Sequence, residues 1–267
     1  MADISFGYHS LSWGRNFVGF LDEVSSLGFR GVESVWDVAT DYDGKEDALR
    51  KLLRDRNLTL VSLYGGGELA DPKQRERDLD RNRRLVDFLA RHGCQVFVFG
   101  PGSRGPKPPT RGDFERLIES AHLLGAYCRK RGIKACVHPH LGTIVETRDE
   151  IHRLMSESDP DLLFLCPDTA HIARSGADPA EVIRAYPERV AHVHFKDAVS
   201  GGPAEANGTP FVELGRGTVD FPSVLETLRA AGYRGWITVE LDEPKKSAKE
   251  SAAISKKYLK DVLHVKF

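Results

Sequence analysis

The run VAHVHFKD, residues 190–197, starts as an apolar strand and ends in ionisable side chains: His192 and His194, then Lys196 and Asp197. Three other short apolar runs end the same way. LLFLCPDTAH (Leu162–His171) closes on Asp168 and His171, WITVELDEP (Trp236–Pro244) on Glu240 and Asp242, and IKACVHPH (Ile133–His140) on His138 and His140. Strands that finish in metal-binding or proton-moving groups imply a parallel sheet with its chemistry at the carboxyl ends.

Working outward, eight short runs rich in apolar and β-branched residues read as strands. They lie near Ile4–His9, Gly31–Val35, Leu58–Tyr64, Gln95–Gly100, Ile133–His138, Leu162–Pro167, Val190–Phe195 and Trp236–Leu241. Helical patterns separate them. Val18–Leu27 stops at Gly28, Gln74–His92 carries Leu79, Leu85, Val86 and Leu89 as an inner stripe, and Phe114–Lys130 stops near Gly132. Thr147–Ser156 opens with a Thr147/Glu150 capping box, and Phe221–Ala231 ends at Gly232. Lys245–Lys260 reads as a solvated closing helix. Units recurring about every 30 residues match a single (β/α)₈ TIM barrel, an α/β fold, spanning residues 1–267. An open doubly wound sheet is the rival, but no G-x-G-x-x-G follows the first strand.

Composition narrows the function classes. A net charge of -1 gives no general attraction to nucleic acid, and the basic run Arg75–Arg84 is interleaved with acids. Cys94, Cys128, Cys136 and Cys166 form no CxxC pair, so reduced thiols are expected rather than disulfides or a zinc-thiolate site. The start, MADISFGYHS, lacks the layout of a secretory signal, and no apolar stretch is long enough to span a bilayer. The expectation is a cytoplasmic protein whose partner is a small molecule, with neither nucleic acid nor membrane, and with a homo-oligomer left open.

In a barrel, Asp168, His194 and Glu240 end neighbouring strands and converge on one mouth. Mixed carboxylate and imidazole donors suit Mn²⁺, Co²⁺, Mg²⁺ or Zn²⁺.

The motifs Asp168-Thr169-Ala170-His171, His192 to Asp197, and Val239-Glu240 resemble the xylose isomerase-like TIM-barrel superfamily of sugar isomerases and epimerases. Gly28–Glu33 extends the resemblance to the start of the chain. Within the superfamily, HPHLGTIVET (His138–Thr147) and LGRGTVDF (Leu214–Phe221) look most like inosose dehydratase and its relatives. The resemblance implies one divalent metal, Mn²⁺ first, held by Glu, Asp, His and Glu from strands five to eight. Asp168, His194 and Glu240 carry over. The fourth position does not, because His138 stands where the family has Glu. Either His138 or Glu146 from the next loop fills it, and Glu146 is preferred because a further carboxylate balances the ion's charge.

The remaining polar groups get substrate roles. His171 faces substrate in the resemblance, His140 and Lys196 are candidate contacts, and so is Glu33, unless it closes the rim with Arg30. For Lys196 a salt bridge to Asp197 is the plainer alternative. His9, Trp13 and Tyr64 are candidates for a sugar-facing wall, and His192 is placed one layer deeper than His194. Glu240, with either Glu146 or His138, forms the expected acid/base pair for proton abstraction beside a carbonyl.

The first functional reading is an isomerase or epimerase acting on a keto-sugar through an enediolate. The alternative is a dehydratase removing water from a keto-inositol or keto-sugar, and a non-catalytic sugar-binding barrel comes third. A DNA-repair endonuclease of the same fold would need histidines after strands three and four, where LYGGGEL and FGPGSRG have none.

Overall fold

Short apolar runs build the strands observed in the computed structural model, which describes residues 4–199 and 210–267. Eight parallel strands form one sheet: β1 (Ser5–His9), β2 (Gly31–Val35), β3 (Thr59–Gly66), β4 (Val96–Gly100), β5 (Lys134–Val137), β6 (Leu163–Leu165), β7 (Val193–Phe195) and β8 (Trp236–Val239). Their order across the sheet is β6-β5-β4-β3-β2-β1-β8-β7. Single parallel bridges, Leu165 to Val190 and Asp168 to His194, then join the two ends of that order. The sheet curls back on itself with helices between its strands, as the (β/α)₈ reading expects.

Along each strand one set of side chains faces the helices and the other faces the barrel axis. Phe97, Phe99, Leu163, Leu165, Val193, Phe195, Ile237 and Val239 belong to the large core shared with the helices. A smaller cluster inside the barrel holds Val61, Val96, Val98, Cys136 and Cys166, with Phe164 and Trp236 packed against it. A Cβ at Gly31 would lie 2.4 Å from the Trp236 ring, so the absence of a side chain there makes room for the indole. All four cysteines are buried free thiols.

The helices anticipated from periodicity form within a few residues of their expected ends: Phe17–Ser26, Arg75–Arg91, Arg111–Arg129, Arg148–Glu157, Phe221–Ala230 and Ala248–Asp261. Thr147 and Glu150 make the reciprocal capping box. Four short helices lacked a readable period: Asp37–Tyr42, Glu46–Arg54, Thr169–Arg174 and Pro179–Ala185. Glu46–Arg54 buries only Leu49 and Leu53, and Thr169–Arg174 is too short for a pattern and starts on the Asp168 cap. β6 is shorter than expected because Pro167 follows it and cannot donate to a ladder. Among the described residues no helix is long and apolar enough to cross a membrane.

The helix Arg111–Arg129 lies so close to the start of β6 that a Cβ on Gly125 would sit 2.2 Å from the Leu162 carbonyl oxygen. Backbone cannot yield there as a side chain could. Gly125→Ala is expected to destabilise the fold by about 1–3 kcal/mol despite alanine's better helix propensity, read as a fall in the denaturant midpoint.

Candidate active site at the barrel mouth

Each donor comes from the inward-facing set of its strand, at or just past the carboxyl end. His138 follows β5, Asp168 follows β6, His194 lies in β7 and Glu240 follows β8. One ligand atom from each of the four lies within 4.8 Å of the other three, and all four residues are buried. Asp168 has two duties. Its Oδ1 accepts the N–H groups of Ala170 and His171, both at 2.9 Å, and so caps the short helix. Its Oδ2 is left 3.4 Å from His138 Nε2.

Several buried polar atoms here have no hydrogen-bond partner among the described residues: both ring nitrogens of His138, Asp168 Oδ2 and His194 Nδ1. His194 Nδ1 lies 2.8 Å from Glu240 Oε2 without hydrogen-bond geometry. Buried polar atoms are rarely left unsatisfied, so a group of them facing one another fits a bound cation. Two imidazoles, two carboxylates and no thiolate suit a first-row divalent ion.

Electrostatics keep His138 and Glu240 in ligand-ready forms but favour a proton on His194. Burial pushes the His138 imidazolium down to about 4, against the pull of Asp168, so the ring is neutral at physiological pH. Glu240 is held well below the usual carboxylate range: burial opposes ionisation, and Lys196, His194 and His9 outweigh it. Burial likewise works against a charge on His194, but Cys166, Glu33 and Glu240 together raise its pKa well above the ordinary imidazole value.

Around this group the structure distributes the other expected residues. Lys196 is fully buried and donates to Glu240 Oε1 at 2.9 Å and Asp242 Oδ1 at 2.6 Å, with His171 Nε2 3.3 Å away. Its predicted partner Asp197 turns elsewhere, accepting the backbone N–H groups of Gly215, Gly217 and Val219 in the LGRGTVDF loop. The His171 and His140 rings lie against each other, tilted by 37° with centroids 3.6 Å apart. His9 stands 5.9 Å from the His194 ring, and Tyr64 presents its ring edge-on to His138 at 5.4 Å.

Glu146 is not brought to the group. The loop after β5 folds back through His140 N–H to the Val145 carbonyl, and Glu146 Oε2 accepts from Gly142 N–H at 2.7 Å and pairs with Arg104 at 3.3 Å. Glu33 is fully buried beneath the donors, and its carboxylate meets His192 and His194 rather than Arg30 or the rim. Trp13 packs on Tyr8 and Phe20 and donates to Glu23, which places it in the outer layer. Asp242 received no role from the sequence. Its signals were its place among the ionisable groups that close the run WITVELDEP and its position two residues after Glu240.

The sequence profile of the xylose isomerase-like TIM barrel family matches residues 21–258, and the chain belongs to that family. An inosose dehydratase of Lacticaseibacillus casei is 31% identical over 271 residues, covering 92% of this chain and 89% of that protein. An inosose dehydratase of Geobacillus kaustophilus (strain HTA426) is 27% identical, covering 91% and 86%. Among solved structures, the IolI protein with a bound zinc atom superposes with a TM-score of 0.84 at 18% identity, covering 97% of this chain and 98% of that one. The 3-keto-D-glucoside 4-epimerase YcjR of E. coli gives 0.77 at 19% identity, covering 96% and 100%. These two likenesses concern the fold.

If His194 Nδ1 gives its lone pair to an ion, the proton it holds in the metal-free protein must leave. Calorimetric titration of the metal-free protein with Zn²⁺ at neutral pH, in buffers of different ionisation enthalpy, is expected to report release of about one proton per site. Affinity should rise with pH until His194 is deprotonated in the free protein, because its raised pKa makes protons compete below that point.

Proposed function

We propose that this chain is a divalent-metal-dependent lyase that removes water from a keto-cyclitol or keto-sugar. The observation that carries the reading is the buried quartet His138, Asp168, His194 and Glu240 with Lys196 beside it. The direction of the chemistry is supported by inosose dehydratases, related over about nine-tenths of the chain. This reverses the order reached from the sequence, where isomerisation stood first and dehydration second. Epimerisation is kept as the second reading because it shares the first proton removal and because an epimerase shares the fold.

In this proposal His138, Asp168, His194 and Glu240 hold the ion, and His138 takes the fourth place for which Glu146 was preferred. Two carboxylates and two neutral imidazoles sum to the charge that a divalent cation neutralises. Replacing a family carboxylate by imidazole also moves the set away from Mg²⁺ and toward Mn²⁺, Co²⁺ or Zn²⁺. The bound ion would supply Lewis acidity to the substrate's carbonyl and adjacent hydroxyl oxygens.

The chain's own groups do the rest. Lys196 is a buried ammonium at the mouth, where it favours negative charge developing on a substrate oxygen. Asp242 is the carboxyl best tuned to carry a proton. Burial, aided by Glu240 and opposed by Lys196, pushes it up to about 6, and its side chain is 25% exposed at the rim. Glu240 has one oxygen on Lys196 and the other beside His194, which suits it to holding rather than to proton exchange. Asp242 therefore removes the proton beside the carbonyl and returns it to the departing β-hydroxyl, which leaves as water, and the enol so formed takes a solvent proton on carbon as it becomes the ketone. The adjoining rings of His140 and His171 border this space and contact the substrate.

The metal-loaded protein incubated with inosose and with keto-sugars in D₂O is expected to yield a dehydrated, deuterated product from inosose. Deuterium exchange with retention of the hydroxyl would favour the epimerase reading instead, and neither outcome with any loaded metal would sink both.

Asp242→Asn should lower kcat by about 10²–10⁴-fold. Because Asp242 acts ionised, wild-type activity should rise as pH passes about 6, and this limb should vanish in the variant. An unchanged pH–rate profile in Asp242→Asn would remove Asp242 from the proton path.

A further inference from the structure

One layer below the quartet, Glu33 lies in β2 with no exposed surface, so no substrate at the mouth can reach it. A single oxygen, Oε2, is 2.8 Å from His192 Nε2 and 3.0 Å from His194 Nε2. His192 Nε2 is also 3.0 Å from Thr238 Oγ1, which ties the arrangement to β8. The pairing of β2 with β3 shifts register between Val32 and Glu33, so that Val32 faces Leu60 but Glu33 faces Ser62. Such irregularities re-aim side chains beside functional sites.

A carboxylate oxygen can only accept, so both imidazoles meet Glu33 through an Nε2–H. With Nε2 committed, the nitrogen of His194 left for the quartet is Nδ1, the atom 2.8 Å from Glu240 Oε2. Turning the His194 ring over would place a C–H against Glu33 and remove the hydrogen bond between them. Carboxylates that receive the far N–H of a ligating imidazole orient the ring and raise its basicity.

We propose that Glu33 is a positioning residue for the metal site: it accepts the Nε2–H of His194 and thereby aims Nδ1 at the quartet. His192, bonded to the same oxygen, holds Glu33 in place from below. The inference rests on reading the quartet as a metal site, and it replaces the substrate contact expected from the sequence. A purely structural buried network is the competing account.

The test compares wild type with Glu33→Gln, which keeps the shape, and Glu33→Asp, which keeps the charge on a shorter stem. Zn²⁺ affinity is measured by competition with a chromophoric chelator. Histidine ¹⁵N–¹H spectra of the metal-free proteins follow the His194 Nε2–H. We expect Zn²⁺ affinity to fall about 10–100-fold in Glu33→Gln and to recover partly in Glu33→Asp. We also expect the slowly exchanging His194 Nε2–H signal of wild type to shift and exchange faster in Glu33→Gln. Unchanged Zn²⁺ affinity in Glu33→Gln, with only a lower melting temperature, would make the network structural and overturn the proposal. Wild type that takes up no divalent metal would overturn the metal reading itself. In that event an Nε2–H signal unaffected by Glu33→Gln would overturn the positioning contact as well.

Discussion

Three carboxylates and one ammonium are kept out of water in a single barrel mouth, and the site follows from how their charges are matched. Glu33, Asp168 and Lys196 have no exposed surface, and Glu240 has almost none. An ion stripped of water costs several kcal/mol unless a partner compensates. Lys196 compensates Glu240 and Asp242, and the two β7 histidines compensate Glu33. Asp168 is half served, with one oxygen capping a helix and the other facing His138. Among the atoms left over in this matching, Asp168 Oδ2, His194 Nδ1 and the His138 ring belong to the quartet, an arrangement that fits a divalent cation.

The same mouth lies on the weakest line of the sheet. β6 and β7 have three residues each and meet only through isolated bridges, one of them between Asp168 and His194. Regular pairing there is replaced by side-chain bonds: the Thr169 hydroxyl reaches the Lys196 carbonyl at 2.7 Å, and the Lys196 N–H returns to the hydroxyl at 3.0 Å. The D-T and H-x-K parts of the two motifs therefore fasten the strands whose ends carry the donors.

Isomerisation, epimerisation and dehydration begin with the same proton removal beside a carbonyl, and they diverge in whether a β-hydroxyl leaves. A site of this kind therefore identifies the first half of the reaction more sharply than the second. In the proposed reaction the second half would depend on the groups beside the quartet, where Lys196 meets Asp242 and His171, His171 lies against His140, and the Phe211 ring centroid is 4.3 Å from Lys196 Nζ.

The strands were readable because an apolar run of four to eight residues stopped by a polar cluster is a local pattern. Asp168, His194 and Glu240 were readable for the same reason: each is the inward residue at the end of its run. Glu146 and Glu33 were misassigned because their partners are remote in sequence. Glu146 turns to Arg104, and Glu33 meets histidines about 160 residues later. Sequence alone determined the barrel, the family and three of the quartet, since strand periodicity and strand ends are written locally. Closure of the barrel decided that His138 completes the quartet, that Asp242 shares Lys196, and that Glu33 meets His194 from below, since only closure brings β2, β5, β7 and β8 around one axis.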